Sequence, residues 1–259
     1  MSDEAVPAAT VILLRETPAL EVLMICRHEN SSFAGGALVF PGGKVDPGDE
    51  ASCWRDHASG LADNNVIARA QIAAIREAFE EAGVLLAFGP DGEMLSGAKT
   101  LELTPWRERV LENDAAFRDL VISEKLVLNC APLKLFAHWV PPARLHKRYD
   151  TLFFVAPFPE TQKIIADGNE ATEALWINPG EAVAARERGE RKMIFPTIRN
   201  VELLALSSTI KEVYDFAARR PIVPVTPEIE MREEGAFLTI PEGLGYPVIE
   251  ESIERATRG

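Results

Sequence analysis

The order of apolar and polar positions divides the chain into short strands and amphipathic helices. Thr10 to Leu14 and Leu20 to Ile25 are β-rich runs on either side of a Pro18 turn, which predicts a strand pair. Ala37 to Phe40 reads as a third strand, stopped by Pro41-Gly42-Gly43. Lys44 to Asn65 is polar, with Asp46-Pro47-Gly48-Asp49 as a turn. Ala68 to Ala82 has helical spacing and ends at Gly83, a C-cap signal. Thr104-Pro105 and Asp114 open further helical stretches, so 104–125 reads as a helical insertion. Strands are expected again at Leu133 to Val140, Thr151 to Pro157 and Ala174 to Ile177. Asn178-Pro179 then starts a helix over 179–188, with others near 198–206 and 209–219. Residues 221–259 hold five prolines and read as an extended, wrapping tail. This alternation predicts an α/β fold with a mixed sheet.

Composition narrows the function. With 259 residues and 47% apolar side chains, the chain can bury a real core. Its 27 basic and 40 acidic residues give a net charge of −13, which argues against duplex nucleic acid as a partner. A small anionic substrate stays open, because a bound cation reverses the local field. Cys26, Cys53 and Cys130 make no disulfide framework, and the Cys53/His57 pair lacks a second ligand pair for zinc. The first nine residues carry no signal or transit pattern, and no apolar run reaches membrane-spanning length. The final Thr257-Arg258-Gly259 is not a peroxisomal address. A cytoplasmic protein with no membrane partner is expected; a homodimer is neither required nor excluded.

The chemistry concentrates in Arg76-Glu77-Ala78-Phe79-Glu80-Glu81-Ala82-Gly83-Val84. At about 100° per residue, Glu77, Glu80 and Glu81 share one helical face while Ile72, Ile75, Phe79 and Ala82 gather on the other. Arg76 lies four before Glu80, where an ion pair can orient that carboxylate. Three close carboxylates repel each other, and a hard cation such as Mg²⁺ relieves the repulsion through oxygen ligands. Alone, such a stretch is more often a solvated acidic face. Upstream, Phe40-Pro41-Gly42-Gly43 ends a strand in a turn whose missing side chains let backbone carbonyls approach an ion or phosphate.

These two segments together resemble the signature of the Nudix hydrolase family: Gly, five residues, Glu, seven residues, then Arg-Glu-x-x-Glu-Glu-x-Gly and an aliphatic residue. From Gly43, five residues lead to Asp49, with Glu50 next, and the second half matches from Arg76 to Val84. The first acidic position is Asp49, or has slipped to Glu50, and the spacer from Glu50 to Ile75 holds 26 residues instead of seven. An interrupted box is similar to that of the peroxisomal coenzyme A diphosphatase branch and its bacterial relatives. The likeness extends from about Ala8 to Ala185, through Glu21-Val22-Leu23-Met24, Trp106-Arg107-Glu108-Arg109-Val110, Arg148-Tyr149-Asp150-Thr151 and Trp176. It implies an α/β/α sandwich over 8–185, a helical extension over 186–220 and the tail beyond.

The resemblance also implies chemistry: hydrolysis of a diphosphate by water activated with Mg²⁺ or Mn²⁺. Carried over by position, Glu77, Glu80, Glu81 and the carbonyl of Gly43 are the metal ligands, and Arg76 is their structural partner. Glu170, six before Trp176, stands where the branch has a loop acid that acts as base or ligand, with Glu173 as the fallback. The coenzyme A signature is matched in part, by Arg27, Gly36 and Phe40, while Ser32 stands where its inner arginine would fall. Arg27 and Arg148 are candidate phosphate contacts. Trp106, Phe136, Trp139 and Trp176 could stack on a base or fill the core. The substrate implied is coenzyme A or an acyl derivative. ADP-ribose, NADH and dinucleoside polyphosphates are the alternatives within the family, and a non-catalytic ligand-binding regulator is the alternative outside enzymology. The intact set of three glutamates favours an enzyme.

Overall fold

The computed structural model describes residues 5–29, 34–142, 148–168 and 171–258. The first strand decides the architecture. β1 (Val6–Glu16) is buried on both faces over Ala8 to Leu14, as a continuous apolar run requires. Ala9, Val11 and Leu13 enter one core, and Ile12 and Leu14 enter a second on the other side. The C-terminal part of β1 pairs antiparallel with β2 (Leu20–Arg27). After β3 (Leu38–Val39), which pairs with β2, the chain turns through Pro41 into β4 (Gly42–Lys44). β4 takes the place beside the N-terminal part of β1, with Gly43 opposite Ala9. The glycine turn is thereby fixed at the middle of a central strand.

Residues 44–65, expected as a polar loop, contain two short 3₁₀ turns and β5 (Ala58–Ser59). Their order comes from tertiary contacts: the fully buried Trp54 donates to the Gly48 carbonyl at 2.9 Å and packs on Phe117 at 5.6 Å between ring centres. Next comes α1 (Asn65–Ala82), whose N-cap Asn64 accepts from the amides of Val66 and Ile67. The helix therefore starts three residues before the first apolar repeat at Ala68. Ile72, Ile75 and Phe79 are fully buried against β1, as their spacing predicts.

Beyond α1 run β6 (Ala87–Phe88), α2 (Gly97–Glu102), α3 (Trp106–Glu112), α4 (Ala116–Ser123) and β7 (Val127–Asn129). The expected insertion over 104–125 holds two helices, α3 and α4, as its spacing predicts; α2 precedes it, and β5, β7 and β6 form a small sheet of their own. Pro105 and Ala115, not Thr104 and Asp114, hold the caps of α3 and α4. β8 (Lys134–Trp139), β9 (Tyr149–Pro157) and β10 (Ala171–Ile177) complete the main sheet, in the order β10-β2-β1-β9-β8. β9 runs parallel to β1 while β8 runs antiparallel to β9 and β10 antiparallel to β2, so the sheet is mixed. Its first face is covered by α1 and the insertion. Its second is covered by α5 (Pro179–Glu187), α6 (Phe195–Leu204) and α7 (Ile210–Arg219).

The last segment corrects the expectation of an extended tail. β11 (Pro224–Val225) adds to β8; β12 (Glu228–Arg232), β13 (Gly235–Thr239) and β14 (Glu250–Ser252) form a three-stranded sheet, and α8 (Ile253–Arg258) closes the fold. Prolines keep these elements short, but ionic and aromatic anchors hold them down. Glu251 bonds Arg186 at 2.7 and 3.0 Å, and Trp139 donates to the Tyr246 hydroxyl at 3.0 Å. Arg199 links this network to Glu202 at 3.0 Å. Burial raises the Glu202 carboxyl from the ordinary value of 4.5 to about 7 despite Arg199. Between those pH values the folded state binds more protons than the unfolded state, so stability falls as pH rises through the window. In Glu202→Gln the slope should flatten by about 2–3 kcal/mol between pH 4.5 and 7, read from urea midpoints. An unchanged slope would contradict this origin.

Candidate active site

The site forms where α1 crosses the glycine turn. Asp49, Arg76, Glu77, Glu80 and Glu81 are each 9% exposed or less, so the carboxylate face of α1 is covered rather than solvated. Arg76 organises it. Its Nη1 donates to Glu77 Oε1 at 2.8 Å and to Glu80 Oε1 at 2.9 Å. Its Nε and Nη2 hold Asp49 at 3.0 and 2.9 Å, and Nη2 also reaches the Lys44 carbonyl at 2.7 Å. One guanidinium thus ties the helix to both the β4 turn and the first 3₁₀ turn. Glu81 Oε2 accepts from the Gly42 amide at 2.8 Å, and Arg27 Nη1 stands 3.7 Å from Glu81 Oε1.

Glycine at position 43 makes room for the Glu77 carboxylate. A Cβ on Gly43 would lie 2.4 Å from Glu77 Oε1, so any side chain would displace that carboxylate. Gly42 is the more tightly constrained, because a Cβ there would meet backbone, the Ala9 carbonyl at 2.6 Å and the Thr10 Cα at 2.8 Å.

Electrostatics follow from burial. Burial raises the Glu77 and Glu80 carboxyls above the ordinary range, opposed by Arg76, and their mutual repulsion adds to the rise for Glu77. Asp49 is raised by burial too, again opposed by Arg76. Burial disfavours the Arg76 charge, yet Glu77, Asp49 and Glu80 outweigh it and hold the guanidinium above the usual arginine range. Arg76 occupies one oxygen of Glu77 and one of Glu80; the second oxygen of each takes no hydrogen bond from a described residue. This all-oxygen donor set, short of positive charge, fits a hard divalent cation. Among the described residues no three acidic, histidine or cysteine side chains are grouped so as to hold a metal ion in the arrangement they have here.

The family follows from sequence as well as geometry. The profile of the NUDT19 Nudix domain matches residues 59–204, more than half of the chain. This chain belongs to the NUDT19 Nudix domain family. It is a Nudix hydrolase. It is 26% identical to a Xenopus laevis protein named acyl-coenzyme A diphosphatase NUDT19, over 89% of this chain and 72% of that protein. It is 27% identical to the Homo sapiens protein of the same name, over 80% of this chain and 67% of that one. A crystal structure of a NUDIX hydrolase from Alicyclobacillus acidocaldarius superposes with a TM-score of 0.69 at 23% identity, covering 82% of this chain and 96% of that one, and so shares the fold.

The structure brings Gly43, Arg76, Glu77, Glu80 and Glu81 together, and Arg27 beside them. Gly36 supports the adjoining loop at φ +73°, its amide bonded to the Arg27 carbonyl at 3.1 Å. Phe40 does not face this NUDT19-type site: it is 3% exposed, packed in the second core, and its expected substrate contact is corrected accordingly. Phe136 and Trp139 lie in that same core, so neither offers a ring to a base. Arg148 sits at the start of β9, with Nε on the Pro141 carbonyl at 3.1 Å. Glu170 and Ser32 lie outside the described residues. Glu173 turns to Arg191 at 2.8 Å.

One contributor has no signal in the box. Gly83 ends α1 in the left-handed region, and the Gly83 and Val84 amides fold back to the Phe79 and Ala78 carbonyls. This leaves the Glu80 carbonyl without a helical partner. Arg107 of α3, itself buried, supplies one, its Nε donating at 2.9 Å. The insertion therefore caps the helix that bears the glutamates. Arg107→Ala should lower unfolding free energy by about 2–3 kcal/mol in urea titrations, the worth of a buried charged hydrogen bond. Arg107→Lys should recover part of it. A loss below roughly 0.5 kcal/mol, as at an ordinary surface site, would refute the cap.

Proposed function

We propose that this chain hydrolyses the diphosphate bond of coenzyme A or an acyl-coenzyme A. The observation that carries the reaction type is the buried carboxylate face of α1, set against a glycine turn that brings backbone up to Glu77 and Glu81. The names of the two relatives support the substrate class. Family membership supports a divalent cation, with Mg²⁺ or Mn²⁺ as the expected ion. Glu77, Glu80, Glu81 and the Gly43 carbonyl would hold it. When bound, such a cation neutralises charge on the phosphate oxygens and makes water a stronger nucleophile at neutral pH.

The protein's own part is preorganisation. Arg76 keeps Glu77 and Glu80 in place. The Gly42 amide fixes Glu81, and Gly43 leaves the approach to Glu77 open. Arg27, beside Glu81, can bind a phosphate oxygen as the reaction proceeds. Water adds to one phosphorus and the bridging P–O bond breaks; coenzyme A gives phosphopantetheine and adenosine 3′,5′-bisphosphate, and an acyl-coenzyme A gives the same bisphosphate and the acyl-phosphopantetheine.

Coenzyme A, acetyl-coenzyme A, ADP-ribose, NADH and diadenosine polyphosphates should be compared with Mg²⁺ and with Mn²⁺. Turnover of the coenzyme A compounds is expected; efficient cleavage of ADP-ribose with none of coenzyme A would reject the substrate. Glu81→Gln keeps an oxygen for the Gly42 amide and removes a charge. It should cut kcat by roughly 10²-fold or more, since a catalytic metal supplies several kcal/mol to the transition state. Full activity of this variant would reject the metal assignment.

A further inference from the structure

The strand beside Arg27 is irregular where it passes that residue. β10 pairs with β2 from Ile177 opposite Val22 to Glu173 opposite Cys26, and Ala171 then stands opposite Arg27. Thr172 is the extra residue of a β-bulge, and its Oγ1 donates to the Cys26 carbonyl at 3.2 Å. Bulges recur beside active sites, where they redirect a side chain or end a pairing. Two bonds secure the residue just before this one. Asp167 Oδ1 accepts from the Ala171 amide at 2.7 Å, and the Gly168 amide donates to the Ala171 carbonyl at 3.1 Å. Ala171 thus directs both backbone groups away from β2. Arg27 directs its own away from β10, its amide to the Ala37 carbonyl at 3.0 Å and its carbonyl to the Gly36 amide at 3.1 Å. The pair is therefore non-hydrogen-bonded, the kind in which facing residues come closest. Ala171 is fully buried, packed with Ile25 and Val39, and walls one side of Arg27.

The same loop is tied to the helix that bears the glutamates. Ile165, two residues before Asp167, donates its amide to the Ala82 carbonyl at 2.9 Å. Gln162, buried, bonds the amide and carbonyl of Leu85 at 3.0 and 2.9 Å and the Leu95 carbonyl at 3.1 Å. Ala82 follows Glu81, and Arg27 Nη1 lies 3.7 Å from Glu81 Oε1. A closed circuit results: Glu81, Ala82, Ile165, Asp167, Ala171, Arg27 and back to Glu81. The loop between β9 and β10 thereby fixes how far Arg27 stands from the carboxylate face.

We propose that Asp167 is a positioning residue for the reaction: by fixing Ala171 it sets Arg27 for the substrate phosphate. This rests on the role given to Arg27 above. Asp167 acts through the backbone of its neighbour, so what the position requires is an acceptor oxygen rather than a charge.

The test is a double-mutant cycle on kcat/KM in the full chain with Mg²⁺, using whichever diphosphate the wild-type protein turns over fastest. Rejection of coenzyme A as the substrate therefore leaves the inference intact. Asp167→Ala should lower kcat/KM roughly fivefold or more, the scale of one hydrogen bond. Asp167→Asn, which keeps an oxygen for the Ala171 amide, should retain most of the wild-type value. In an Arg27→Ala background, where no guanidinium is left to position, Asp167→Ala should cost less than about twofold. A residue that only supports the fold would give the same loss in both backgrounds. Melting curves establish that each variant is folded. Equal losses in both backgrounds, full kcat/KM in Asp167→Ala, or an Asp167→Asn protein as impaired as Asp167→Ala overturn the assignment. Absence of turnover of every diphosphate by the wild-type protein overturns the functional reading and this inference with it.

Discussion

A single buried cation holds this molecule's chemistry together. Arg76 hydrogen-bonds three buried carboxylates and a backbone carbonyl, with Asp46 a fourth, half-exposed acid at 3.4 Å. Burying that many acids without a counter-charge would force them to take up protons, because ionised groups lose their hydration there. With the guanidinium in the middle, the acids keep their order. The turn that carries Gly43 is drawn to the helix by the same bonds. The pairing of β4 with β1, the closeness of Gly43 to Glu77 and the burial of Asp49 are all conditions of this arrangement.

Support for the helix comes from well outside the box. Asn64 caps its start, Gly83 its end, and Arg107 reaches across from α3 to a carbonyl that the left-handed turn leaves over. Gln162, on the loop after β9, bonds both the amide and the carbonyl of Leu85 and so fixes the chain just past the helix. The carboxylate face on one helix is thus braced by two segments that contain none of its acids.

What the sequence made legible was whatever depends on local period. The strand run Thr10 to Leu14, the helix from Ala68 and the shared face of Glu77, Glu80 and Glu81 needed only spacing. Alternation along a strand says which residues share a face, not which face meets the site. Phe40 consequently read as a substrate contact and packs in the core, and Trp139, open to either role in the sequence, packs there too. The stretch between Lys44 and Asn65 has little period of its own, since its turns are set by Trp54 meeting Phe117 far along the chain. Prolines in the final segment suggested a wrapping tail, while the pairing of Arg186 with Glu251, 65 residues apart, folds it into a sheet and helix. The first acid of the box was left between Asp49 and Glu50, and the bond of Asp49 to Arg76 is visible only in three dimensions.

The long spacer between the halves of the box has a consequence of its own. Lengthening a connection from seven to 26 residues adds only about 1 kcal/mol of closure entropy, because that cost grows with the logarithm of length. The several charged bonds of Arg76 readily outweigh it. The motif is therefore a joint in space rather than a word in sequence. Its two parts can drift apart along the chain, and the intervening loop can acquire new structure, as long as the arginine still finds its acid.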